Sequence, residues 1–308
     1  MSKLVKLNFK DQTLIINTRG GGIAEYYVTK KNQRRDIVYG YGSEKDYDGG
    51  MGDVLSPFPG RVENSEYYFN GNHYKLSGFN VNSGNALHVF VREQNWKVEV
   101  TDKNKITASF NISSKKFSKH GYPFDLELTI IYSLSNNGLT VSTKVKNIGP
   151  ETAPFGIGYH PYFKVAAKVD DMVWIVPAKK IVEFDEKLKP TGRLLVVSKT
   201  EFDFRIPKEI GSLEIDNCFT DLIRDKKGIF TSTLSNKSGS EVIKVWQDKK
   251  YPYFQTYSAD TIAKKNFRQA MALEPQTCCG YAVNVPNLGL IKLKPKEEFN
   301  GCWGIQLN

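Results

Sequence analysis

Hydrophobic and polar positions alternate along most of this chain in short runs, most clearly in DLELTIIYSLSNNGLTVSTKVKNIG. Leu128, Ile130, Tyr132 and Leu134 alternate with mostly polar neighbours, and the same period resumes at Leu139, Val141, Thr143 and Val145 after Asn136-Asn137-Gly138. Successive side chains of a strand point to opposite faces, so this pattern around an Asn-Gly turn predicts an antiparallel hairpin with one face buried. Similar runs recur at KLNFKDQTLIINT, EYYFNGNHYKL, WKVEVTD, KITASFNIS, DMVWIVPA, GIFTSTLSN, EVIKVWQ and YFQTYSA, each bounded by Gly, Asn, Asp, Pro or Lys-rich turns. Helical periodicity is poor, and short helices are expected only near SEKDYDGG and DTIAKKNFRQAMA. There is no solenoid or propeller repeat, low-complexity linker or compositional break. The expected fold is all-β: one large antiparallel β-sandwich domain over residues 1–308 with few short helices.

Composition narrows the class. With 40% apolar, 12% aromatic and 25% charged residues, the chain has the profile of a packed globular protein. No uncharged apolar run reaches the roughly 20 residues that span a bilayer, and the start MSKLVKLNFKDQTLII lacks the apolar segment of a secretory signal. A cytoplasmic location with no membrane partner is expected. Cys218, Cys278, Cys279 and Cys302 form no C-x-x-C pair and are expected to be reduced thiols, not metal ligands. The net charge of +10 raises the question of an anionic partner, but the lysine pairs are scattered through turns and form no stripe. Solvated loops and protected sheet edges account for them, and no nucleic acid partner is expected.

Absent motifs prune the chemistry. The chain has no H-E-x-x-H, no G-x-x-x-x-G-K-[ST], no G-x-S-x-G and no G-x-G-x-x-G after a strand, which removes the sequence support for metal hydrolysis, nucleotide use and serine catalysis. What stands out is a set of polar residues in apolar or Pro/Gly-rich surroundings: Arg61 in LSPFPGRV, His88 in NALHVFVREQNW, His160 in GYHPYF, Asp216 in IDNCFTDL and Glu274 in MALEPQTCCGYAVNVP. Each has a structural reading: His88 as a strand cap, His160 as a hydrogen-bonded core imidazole, Asp216 as a turn residue, Arg61 as an ion-pair partner. Glu274 precedes a proline, which is expected to end its strand and place the carboxylate at a strand-to-loop edge, where functional groups concentrate. Partial burial there would raise its pKa toward about 6 to 7, in the range of a general base, and a histidine is the natural proton donor to pair with it.

In the order in which these segments occur, the chain resembles the aldose 1-epimerase (mutarotase) family from about Gly21 to Trp303. The resemblance implies a galactose-mutarotase-like β-supersandwich with an open sugar cleft. It assigns His160 as proton donor to the ring oxygen and Glu274 as acceptor of the anomeric hydroxyl proton. It assigns His88, Arg61 and Asp216 as substrate contacts. Where many members carry glycines after the first histidine, Val89 and Phe90 stand here, so a bulkier cleft is expected. Arg92 is a further substrate-contact candidate, suited to a phosphate or sulfonate. Trp96, Trp246 and Tyr257 are either sugar-stacking faces or core.

The chemistry fits those residue types. Opening a hemiacetal removes a proton from one oxygen and delivers one to another, so an acid and a base must flank the anomeric centre, and neither a metal nor an organic cofactor is called for. The expected function is a cofactor-independent mutarotase acting on a monosaccharide. The alternatives are a non-catalytic carbohydrate-binding protein and a mutarotase for an anionic sugar. The sequence indicates no oligomeric state.

Overall fold

The computed structural model describes residues 2–79, 81–285 and 287–307. Two large antiparallel sheets dominate. In the nine-stranded sheet the order is Lys97–Asp102, Lys105–Ile112, Leu126–Ser135, Gly138–Asn147, Glu298–Gln306, Val242–Gln247, Phe230–Asn236, Met172–Ile175 and Lys208–Glu209. The predicted hairpin lies at its heart, with Leu134 opposite Leu139 and Leu128 opposite Val145. Its alternation is read directly in burial: Leu128, Ile130, Tyr132 and Leu134 are fully buried, while their neighbours are exposed or half-buried.

The second sheet runs Pro190–Val196, Ala178–Phe184, Asp216–Leu222, Tyr253–Tyr257, Met271–Gln276, Gly158–Tyr159 and Val54–Leu55, with Tyr162–Phe163 also paired on Met271–Gln276. Aromatic contacts hold the two sheets face to face: Trp303 on Tyr159 at 5.0 Å, Phe230 on Phe254 at 5.1 Å and Trp174 on Phe219 at 5.5 Å between ring centroids. Each such contact adds about 0.5–1.5 kcal/mol beyond the area it buries. Period two then dictates the rest. If Phe219, Phe254 and Leu273 face the shared core, Asp216, Gln255 and Glu274 face the other side of the same sheet.

Two local expectations are corrected. The segment 260–270 is a series of bends and turns instead of a helix, and 271–272 already belong to the strand Met271–Gln276. Asp48 accepts hydrogen bonds from the Ala263 backbone N–H and the Asn266 side chain, and Arg268 takes a left-handed φ of 48°, so the backbone is committed to tertiary partners. Glu274 does not sit at a strand end. Its strand continues through Pro275, which pairs with Phe254, to Gln276. The proline is tolerated because of what lies on its other side. Leu273 donates its N–H to the Pro161 carbonyl, so the nitrogen of Pro275 faces the same neighbour, and that neighbour is interrupted between Gly158–Tyr159 and Tyr162–Phe163. No helix among the described residues is long and apolar enough to cross a membrane.

Candidate active site

The interruption that accommodates Pro275 is occupied by His160. The chain leaves the strand at Tyr159 and rejoins it at Tyr162, and this delivers the imidazole to the face where Glu274 stands, with His160 Nε2 3.4 Å from Glu274 Oε1. Both groups are buried, at 5% and 2% exposure. The His160 ring stacks on Tyr162 at 5.1 Å and meets the edge of His88 at 5.6 Å. Its backbone is fixed on both sides, with His160 N–H donating to the Asp53 carbonyl and Gly52 N–H donating to the His160 carbonyl.

His88 arrives by a different device. Its strand, Asn85–Phe90, pairs with Pro57–Val62, and the register shifts between Leu87 and Val89, leaving His88 at the bulge with a φ of 51°. A bulge of this kind re-aims one side chain, and a left-handed non-glycine residue is the sort of strain that accompanies functional sites. Gly60 N–H donates to His88 Nδ1 at 3.1 Å, so the neutral ring carries its proton on Nε2. Arg61, opposite Leu87 in the same ladder, lines the cleft and forms no ion pair within 4 Å among the described residues. Gly60 has a φ of +70°, and a Cβ there would lie 2.6 Å from Gly280 Cα, so glycine is what lets the loop carrying Tyr281 close beside Arg61.

These residues surround one cavity of about 380 Å³ that is lined by Arg61, His88, Arg92, His160, Asp216 and Glu274 together. The sequence therefore nominated six side chains that the fold does bring to one place. Two amides that it did not nominate belong to the same face. Gln255, opposite Glu274 in the ladder, donates to Asp216 Oδ1 at 2.7 Å. Gln276 donates to Glu274 Oε2 at 2.9 Å, which leaves Oε1 toward His160. Period two from Glu274 points to Gln276, and the strand YFQTYSA points to Gln255 as its one amide.

Arg92 stands differently from Arg61. Its Nη2 donates to the Tyr47 hydroxyl at 2.6 Å, and its Nε lies 2.9 Å from Asp53 Oδ2, close enough for an ion pair though not aligned as a hydrogen bond. Tyr47 in turn donates to Asp53. Burial pushes Asp53 up to about 6, with Arg92 opposing that rise. No feature of DYDGGMGDV announced this cluster.

The expected narrowing by Val89 and Phe90 is not seen. Both are buried in the main core, and Phe90 packs against Phe79 at 4.2 Å and Phe117 at 5.1 Å, away from the cavity. Trp96 is likewise core and donates to the Val91 carbonyl, and Trp246 lies in the nine-stranded sheet. Only Tyr257 of the three aromatic candidates lines the cleft.

Electrostatics set the proton inventory. Burial drives the Glu274 carboxyl well above the usual range, with the nearby Asp216 charge adding to the effect and the Gln276 amide opposing it. Burial, helped by the Arg92 charge, lowers His160 to about 3. His88 is lowered too, by burial first and then by His160, Arg92 and Arg61. Asp216 is raised by burial, against the pull of Arg61 and the Gln255 hydrogen bond. Burial thus favours the neutral form of both groups, a carboxylic acid at Glu274 beside a neutral imidazole at His160, an arrangement in which the pair carries one proton.

Residues 3–303 match the family model described as Aldose 1-epimerase. Among curated proteins, the uncharacterised YihR of Escherichia coli K12 is 28% identical over 304 residues, covering 97% of this chain and 92% of that protein. The galactose mutarotase of Sus scrofa is 27% identical, covering 88% and 83%. Among solved structures, the GalM/aldose epimerase homologue from C. elegans superposes with a TM-score of 0.85 at 20% identity, covering 100% of both chains.

Proposed function

As the chain belongs to the aldose 1-epimerase family and is thus an isomerase, we propose that it interconverts the α and β anomers of a neutral aldose by proton transfer between that sugar, Glu274 and His160. The observation that carries this reading is the 3.4 Å approach of a buried imidazole to a buried carboxyl at the wall of a sugar-sized cleft.

The reaction needs one proton on the pair, the number carried when both groups are in the neutral forms that burial favours. In ring opening Glu274, as carboxylate, takes the proton of the anomeric hydroxyl while His160, as imidazolium, gives one to the ring oxygen. The bond between the anomeric carbon and the ring oxygen breaks and the aldehyde forms. The pair is then left as carboxylic acid and neutral imidazole, the arrangement that burial favours. After rotation about the bond to the next carbon, Glu274 returns its proton to the carbonyl oxygen, His160 accepts the proton of the attacking hydroxyl, and the ring closes on the other face. For a cyclic substrate to enter the resting enzyme, the proton passes from Glu274 to His160 across their contact. Each such group contributes roughly 10² to 10⁴ in rate.

Arg61, His88 and Asp216 supply donors and acceptors for the sugar hydroxyls, with Gln255 holding Asp216 in place. Arg92 is already committed to Asp53 and Tyr47, the Arg61 charge acts on the Asp216 carboxyl, and no lysine lines the cleft among the described residues, so the surroundings suit a neutral sugar better than a phosphorylated or sulfonated one. Fresh α-glucose, α-galactose and α-xylose, followed by polarimetry, are the test. At least one is expected to equilibrate faster with the protein than in buffer. Sugar binding with buffer rates throughout would leave a carbohydrate-binding protein and no catalyst.

A further inference from the structure

A second and larger concavity, about 920 Å³, lies beside the cleft and shares no lining residue with it. The two hang from the same segments. Along one strand Tyr253 belongs to the outer cavity and Gln255 to the cleft. At the end of the strand Pro57–Val62 Arg61 gives way to Glu63, and in a later loop Tyr281 gives way to Ala282.

One wall is the first strand and turn of a two-stranded hairpin, Glu66–Phe69 and Asn72–Lys75. Its Asn70-Gly71 turn has φ values of 48° and 81°, the left-handed pair that a tight hairpin turn requires. Tyr68 stands directly opposite His73 and stacks on it at 4.6 Å, and His73 is in turn 3.2 Å from Glu66. Tyr68 is 71% exposed, yet its ring is held from one side and leaves the other face open. Phe69 and Tyr253 are buried aromatic residues in the same lining, whereas Asn64, Asn70 and Asn287 bring carboxamides that have no hydrogen-bond partner among the described residues.

The charges in this concavity disfavour an anionic occupant, despite the basic chain. Glu63 is held by Lys189, Glu66 by His73, and the one lysine of the lining, Lys292, lies over the Phe69 ring at 5.8 Å. The lining thus carries two carboxylates against one ammonium, a balance that does not favour a phosphate or a carboxylate. Flat aromatic surface edged by amides that both donate and accept suits a ligand with apolar C–H faces and a rim of hydroxyls.

We propose that this outer cavity is an accessory binding site for a neutral saccharide, separate from the anomerisation cleft. Its test is ligand-observed saturation-transfer NMR and calorimetry with the methyl glycosides of maltotriose, cellotriose and galactotriose, whose blocked reducing ends cannot be anomerised. At least one is expected to bind, with equal affinity in wild type and Glu274→Gln. Tyr68→Ala should weaken that binding by tenfold or more and leave glucose or galactose anomerisation unchanged. Asn287→Asp, which keeps the shape and removes a donor, should also weaken it. Absence of binding by all three glycosides, or binding indifferent to both substitutions, overturns the proposal. Neither result bears on the anomerisation chemistry, which the free sugars report separately.

Discussion

The two large sheets of this protein are built from similar strands and do opposite things. In the nine-stranded sheet, Leu126–Ser135 and Gly138–Asn147 pair without a register shift for ten residues each, and the buried positions are apolar or, at Tyr132, Thr143 and Asn147, polar with hydrogen-bond partners. In the second sheet and the strands beside it the ladder is broken repeatedly: at His160, at the bulge of His88, and at Pro275. Every break delivers a titratable side chain or makes room for one. Regular pairing fixes the frame, and the interruptions, which forfeit ladder hydrogen bonds, place the chemistry.

Substitutions in the two regions should therefore separate activity from stability. Glu274→Gln keeps the shape and neutrality of a carboxyl whose uncharged form burial favours, so it should lower kcat/KM for anomerisation by about 10² to 10⁴ with the melting temperature little changed. Leu128→Ala in the regular sheet should do the reverse. It removes a fully buried side chain at a cost of about 2–5 kcal/mol in denaturant unfolding, with kcat of the folded fraction unchanged. Loss of stability in the first variant and loss of catalysis in the second would erase the distinction.

The pH dependence sharpens it. The pair works with one proton. Below the lowered pKa of His160, about 3, both groups are protonated and no base remains; above the raised pKa of Glu274 both are deprotonated and no acid remains. The activity profile measured on protein that stays folded should thus extend below pH 4.5 on the acid side, where an unperturbed glutamate would titrate, and fall tenfold per pH unit on the alkaline side only above the ordinary carboxylate range. An acid limb near 6.5 would contradict the burial argument. A smaller effect belongs to Gln276→Leu. The amide stabilises the ionised form of Glu274, so its loss should move the alkaline limb upward and reduce kcat by about tenfold, the scale of one buried hydrogen bond.

Much of this was legible in the sequence, and the limits have physical causes. The all-β architecture follows from period-two alternation, which the nine-stranded sheet displays openly. The family landmarks nominated five residues and the run after His88 added Arg92, and all six line one cavity. The pattern failed where tertiary contact overrides local preference. Pro275 reads as a strand end until one sees that its missing N–H faces an interrupted neighbour. Val89 and Phe90 read as cleft residues because they follow His88, but the chain turns their side chains into the core. The Asp53–Arg92–Tyr47 cluster joins three stretches whose meeting no spacing encodes.

Whether Glu274 and His160 act as one unit is tested most directly by a double-mutant cycle on kcat/KM for anomerisation. If they share a proton across the sugar, Glu274→Gln combined with His160→Gln should lose no more activity than the worse of the two single variants. Losses that multiply would mean that the two groups act independently.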